Sequence, residues 1–135
     1  DGEARVIEGD FTEDSGMAAA ATLVGEGSTA TAVVCANDRM AVGVIDTLRR
    51  SGMLVPEDIS VTGYDDSALA RLGHIDLTTV SQQPREQADK AVDAVVSRLD
   101  GGRTAPESWV LQPQLAIRAT TVAPPKADLK PSRLQ

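Results

Sequence analysis

Cysteine is nearly absent: the one residue of its kind, Cys35, excludes an internal disulfide and any zinc site built on several thiolates. It lies in the apolar run Thr31–Cys35 and reads as a small buried residue in a reducing compartment. Basic charge is scarce and scattered. Against 20 acidic residues stand 13 Lys and Arg, the formal net charge is −7, and no cluster of cations offers a face to phosphates. Nucleic acid is therefore not an expected partner of these residues. No run approaches the roughly 18 apolar residues of a membrane span. Asp1–Arg5 lacks the charge and the apolar core of a signal peptide. The chain reads as soluble, with no membrane partner, and its expected location is the cytoplasm.

The motifs of catalysis are missing too. No Ser/His/Asp set sits in a nucleophile elbow, and there is no Gly-rich phosphate loop, no HExxH and no Cys/His metal spacing. Neither an enzyme, nor a bound metal, nor a cofactor is expected. The acidic pair Asp65-Asp66 suggests a phospho-receiver domain, but such domains also use a third acid and a lysine, and no lysine precedes Lys90.

What is present is a repeated grammar of short apolar runs and capped helices. The 135 residues suffice for one core that buries roughly 65–70 % of the unfolded surface. Ala4–Glu8 reads as a strand, Thr12 as an N-cap with Glu13 and Asp14 in the first turn, and Glu13–Val24 as a helix stopped by Gly25 and Gly27. Thr31–Cys35 reads as a buried strand. Asn37-Asp38 is a turn and cap, and Met40, Ala41, Val44, Ile45 and Leu48 form the stripe of a second helix ending at Arg49-Arg50 and Gly52. A third strand, Ile59–Gly63, leads to Tyr64-Asp65-Asp66-Ser67 and a helical turn near Ser67–Leu72. Leu77–Ser81 is a fourth strand, Pro84 opens a helix to about Leu99, and Ser108–Ile117 is a last extended segment. Strands alternating with helices imply an α/β fold on a parallel sheet. The tail from Ala123, with three prolines, is expected to be disordered.

Phe11, Asn37, Asp65 and Gln82 each fall just past the carboxyl end of an expected strand, the edge where parallel sheets bind ligands. One ring, a carboxylate and two carboxamides suit a small polar ligand, by stacking and by hydrogen bonds of both senses. Each has a plainer reading. Asn37 can serve the turn as well as a ligand, and Asp38 is the expected helix cap. Of Asp65 and Asp66, one can bind while the other caps the following turn. Phe11 can be core filling, although it is the only Phe and sits in a polar loop. His74 has no acid or thiol at ligand spacing and reads as exposed.

Four segments, VIEGDFTEDSG (Val6–Gly16), TAVVCANDRMAVGVIDTLRRSGMLVPEDISVTGYDDS (Thr31–Ser67), LTTVSQQ (Leu77–Gln83) and VLQPQLAIRATT (Val110–Thr121), together resemble the lactose-repressor (LacI/GalR) family of regulators. The phrase VPEDISVTGYDD after an ANDRMAVG helix carries most of that specificity. The resemblance implies a three-layer, parallel-sheet lobe of the type I periplasmic-binding-protein-like fold, here the C-terminal lobe of an effector-binding domain over residues 1–122, with 123–135 as tail. By position, Phe11 would stack on a sugar, nucleoside or purine, Asn37 and Asp65 would hydrogen-bond to it, and Gln82 would line the hinge side of the cleft. Ile7 stands where some relatives place a polar ligand contact. The chain as given carries no helix-turn-helix and no first lobe, so DNA is expected as a partner only through a domain it lacks. In the family the helix matching Pro84–Leu99 packs on that first lobe. Its face of Ala88, Ala91, Val92, Val95 and Leu99 is therefore expected to fold back or to pair in a homodimer, including one swapped through helix 84–99. Two other readings stay open: a lobe of a sugar-binding transport receptor, and a fragment that binds nothing alone.

Overall fold

Thr12 converts an extended segment into the first helix. Its backbone is extended and its hydroxyl accepts the Ser15 N–H at 3.2 Å, one of the donors every helix start leaves unpaired. In the computed structural model, which describes residues 4–123, helix α1 then runs Glu13–Gly25. Strand β1 (Ala32–Val34), helix α2 (Asp38–Arg50), strand β2 (Ser60–Thr62), a 3-10 turn (Leu69–Arg71), strand β3 (Thr79–Ser81), helix α3 (Pro84–Asp100) and strand β4 (Gln114–Ala116) follow.

The core is built on α2. All five residues of its expected stripe, Met40, Ala41, Val44, Ile45 and Leu48, are buried, together with Ile59, Val61, Ala70, Ile75 and Leu77. Each large aliphatic side chain so enclosed contributes on the order of 1.5–3 kcal/mol. Helix α1 reaches α2 through two bare contacts, with Gly16 against the Met40 backbone and Gly43 against that of Glu13. Only Gly16 and Ala20 of α1 are buried, while Ala21 and Val24 face solvent.

β1 and β2 pair in parallel with Val33 opposite Val61, and the parallel bridges Thr62–Thr78 and Asp65–Ser81 carry the order on to β3. β4 departs from the all-parallel expectation. It lies antiparallel to β3, with Val80 opposite Leu115, and only three residues of the expected Ser108–Ile117 segment form strand. The following RATT residues are clasped to the sheet. The Val61 N–H donates to the Thr120 carbonyl at 2.8 Å, the Thr120 hydroxyl donates to the Val61 carbonyl at 2.7 Å, and the Thr78 N–H donates to the Thr120 hydroxyl at 2.9 Å.

The strand expected at Ala4–Glu8 does not form. Among the described residues nothing pairs with its backbone, and Val6 is 89 % exposed, because a strand exists only through a neighbour that accepts and donates its ladder bonds. The expected cap at Asp38 is also corrected. Asn37 is the N-cap of α2, accepting the Met40 N–H at 2.9 Å, while Asp38 is the first helical residue and is buried. Helix α3 has no buried residue and does not fold back on the core. Of the expected tail 123–135, all but Ala123 lies outside the described residues. No described helix is long and apolar enough to cross a membrane.

Candidate functional site

Parallel pairing sets the carboxyl ends of β1, β2 and β3 on one edge, and the loops leaving them are stitched together. The Asn37 side-chain amide donates to the Phe11 carbonyl at 3.0 Å. The Asp38 N–H donates to the Tyr64 carbonyl at 2.9 Å, and the Asp65 N–H to the Val80 carbonyl at 2.9 Å. The Gln82 side-chain amide closes the series on Asp65 Oδ1 at 2.9 Å. Phe11, Asn37, Asp65 and Gln82 are thus brought to one rim through a continuous chain of hydrogen bonds. The Phe11 ring is 60 % exposed there, so it is not core filling, and the other three are half-buried.

Backbone strain concentrates on the same rim. Among the described residues, five other than glycine have positive φ, and Phe11 (67°), Asp65 (116°), Asp66 (52°) and Gln83 (53°) belong to these loops; Asp76 lies elsewhere. Aspartate tolerates the left-handed region moderately well, but a bulky Phe there is an outlier, and such positions cost on the order of 1–3 kcal/mol each. Strain of this kind persists where surrounding contacts over-determine the conformation, and it clusters at ligand sites.

Charge on the rim is largely spoken for. Arg39 binds Glu13 at 2.6 Å, tying the first turns of α1 and α2, and this hydrogen bond holds the Glu13 carboxyl below its ordinary range. Arg71 and Arg118 bind Asp66 at 2.7 and 2.6 Å, and their guanidinium groups, Arg71 foremost, lower its carboxyl against the opposing effect of burial. Asp66 therefore serves as an anchor, whereas the Asp65 carboxylate has one oxygen held by Gln82 and, among the described residues, keeps Oδ2 for a further donor. Asn37 spends its oxygen on the cap and one N–H on Phe11, which leaves a single N–H free among the described residues. Sequence reasoning missed the Asp66–Arg118 pair and the role of Asp38, since both join segments more than 25 residues apart. Cys35 is buried below the rim, and burial pushes its thiol up to about 12. His74 is exposed, and its carbonyl accepts from Arg49. An apolar depression of about 120 Å³, lined by Leu23, Leu48, Met53 and Ile59, sits at the far ends of both helices and takes no part in this site.

The family described as periplasmic binding protein-like domain matches residues 2–121. Among curated relatives, the HTH-type transcriptional regulator MalR of Streptomyces coelicolor is 40 % identical over 116 residues, 85 % of this chain and 33 % of the relative. Among solved structures, a LacI transcriptional regulator from a Rhodococcus species is 48 % identical with a TM-score of 0.75, over 84 % of this chain and 41 % of that one. The transcriptional regulator CelR in complex with cellobiose is 38 % identical with a TM-score of 0.74, over 83 % and 34 % of the two chains. The chain spans about a third of the length of the curated relatives it matches.

Proposed function

The chain belongs to the periplasmic binding protein-like domain family, and we propose that it is the effector-sensing lobe of a LacI-type transcriptional regulator, without catalytic activity and acting in the cytoplasm. The observation that carries this reading is the rim on which Phe11, Asn37, Asp65 and Gln82 meet. An exposed ring offers a stacking face, Asp65 Oδ2 accepts a hydroxyl hydrogen, and the spare Asn37 N–H donates to a ring or hydroxyl oxygen. With Arg39, Arg71 and Arg118 each committed to a carboxylate, the rim favours a neutral, hydroxyl-rich ligand such as a saccharide over an anionic one. The cellobiose in the CelR complex is of that class.

In this reading the other half of the effector cleft comes from a second lobe, and the apolar face of α3, where Val92, Val95, Val96 and Leu99 are exposed, is the surface that lobe or a second copy covers. Effector closes the two lobes and biases a dimer between DNA-bound and released arrangements, to the extent that its affinity differs between them. The transport-receptor reading has no such support, because the matched relatives named above are transcriptional regulators.

The test is calorimetric titration of the parent regulator with cellobiose, maltose, ribose, adenosine and hypoxanthine. Binding of a neutral saccharide is expected, and Asp65→Ala is expected to weaken it about 10- to 100-fold, the worth of a hydrogen bond to a charged group. Undiminished affinity in that variant would remove Asp65 from the site.

A further inference from the structure

Two consecutive left-handed aspartates, Asp65 and Asp66, need something to hold them, and both ends of their turn lead to one residue. At the entrance, the Tyr64 carbonyl accepts the Asp38 N–H at 2.9 Å. At the exit, the Ser67 N–H donates to Asp38 Oδ2 at 2.7 Å. The second carboxylate oxygen, Oδ1, accepts the Thr79 hydroxyl at 2.5 Å, and that hydroxyl oxygen in turn accepts the Asp66 N–H at 3.4 Å. Asp38 is 1 % exposed, and among the described residues every hydrogen bond to its carboxylate comes from a neutral donor.

A buried carboxylate is a poor way to gain stability, since an apolar side chain of similar size fills the same space without desolvating a charge. What the carboxylate provides is direction, with two acceptors at fixed spacing, one on the turn at Ser67 and one on Thr79 of β3. Room for it is reserved by Gly63, where an added Cβ would press on Asp38 Oδ1 and lie 2.8 Å from Leu77. The N-terminus of α2 favours its negative charge.

We propose that Asp38 is the positioning residue of the rim, whose carboxylate, by holding the Ser67 N–H at the exit of the turn and, through the Thr79 hydroxyl, the Asp66 N–H, sets the place of Asp65 and hence the Asp65–Gln82 hydrogen bond. This rests on the reading of the rim as an effector site. Asp38 is not hydrogen-bonded to Gln82, so the side-chain amide signals of Gln82 report the proposed effect without any ligand.

The experiment compares the wild-type chain with Asp38→Asn and Asp38→Ala by amide-resolved NMR, with the Gln82 signals assigned through Gln82→Glu, and by thermal unfolding. Asparagine can still accept the Ser67 N–H and donate to the Thr79 hydroxyl, so it rescues in part. In the alanine variant the Gln82 amide is expected to exchange about tenfold faster or more, in keeping with loss of a charge-assisted hydrogen bond, and the asparagine variant to fall between. Should Asp38→Ala not fold, Thr79→Val, which removes one partner of the carboxylate, is expected to give the same change. If the folded variants keep wild-type Gln82 signals and merely melt earlier, Asp38 is only a core group and the proposal is overturned. A parallel titration of the wild-type parent with cellobiose, maltose and ribose separates the two ideas. Absence of saccharide binding there refutes the saccharide reading of the rim, and the Gln82 signals decide on Asp38 regardless.

Discussion

The approach of α1 to α2 fixes how far apart the starting points of two rim loops lie, and it depends on a missing side chain at Gly43. A Cβ added there would stand 2.9 Å from the Glu13 carbonyl carbon and 3.0 Å from the Met17 nitrogen, with the Glu13 oxygen closer still. These are backbone atoms of a neighbouring helix, so no rotamer change relieves them and α1 must move outward. Two effects compete in Gly43→Ala. Helix propensity favours alanine by about 1 kcal/mol. Overpacking costs about 1–3 kcal/mol, and a collision with backbone belongs at the upper end of that range. The net loss is about 2 kcal/mol, which for a chain of this size lowers the melting temperature by about 8 °C. Gly25→Ala supplies the control: Gly25 is also helical but has nothing within 4 Å of the added carbon, so only the propensity gain remains and the midpoint rises by a few degrees. Circular dichroism melts of both variants test this. A Gly43→Ala chain that melts at or above the wild-type temperature would refute the claim that backbone contact, not propensity, governs this helix pair.

The lowered Asp66 carboxyl stabilises the fold at neutral pH. Because its folded pKa lies below the unfolded value of about 3.9, that contribution is complete above about pH 4 and is lost as pH falls through the folded value. Urea unfolding at pH 7 and pH 3 is therefore expected to show a smaller acid loss for Asp66→Asn than for wild type, and equal losses would contradict the Arg71 and Arg118 pairing. With its thiol pushed up to about 12 and buried, Cys35 is expected to resist a disulfide reagent at pH 8 until denaturant unfolds the chain; rapid labelling of the native protein would show the site to be open. Leu99 is 78 % exposed on α3, so Leu99→Asp is expected to shift unfolding by no more than about 0.5 kcal/mol while abolishing any self-association measured by light scattering. A large loss of stability in the dilute variant would mean that α3 is packed within its own chain.

Helix α2 was legible because every constraint on it is local: a periodic stripe, an asparagine before it, arginines and a glycine after it. Helix α3 was legible for the same reason, from Pro84 to the glycine pair. The strand at Ala4–Glu8 was misread because its sequence suits a strand, yet its formation depends on a neighbour that no window of sequence contains. The choice between Asn37 and Asp38 as cap shows a subtler limit. Both residue types cap helices about equally well, so local preference is silent. What decides it is tertiary: the space over Gly63 and the donors on Ser67 and Thr79 take the aspartate inward, and asparagine is left to cap.

The rim divides in the same way. Its four positions followed from strand ends, but their mutual contacts did not, and the left-handed backbone of Phe11 contradicts what its side chain prefers. That contradiction is informative. An unstrained loop could place a polar group anywhere along the edge, whereas strain at Phe11, Asp65, Asp66 and Gln83 together requires the surrounding contacts to hold all of them at once. Asn37 holds the first through the Phe11 carbonyl, Asp38 brackets the next two, and the Gln83 side chain, bonded to the Gln112 carbonyl at 2.7 Å, ties the last to the segment leading into β4. A fold selected for stability alone would relax these turns with glycine. Keeping them strained and braced is what a site gains from when its side chains must stand in place before a ligand arrives.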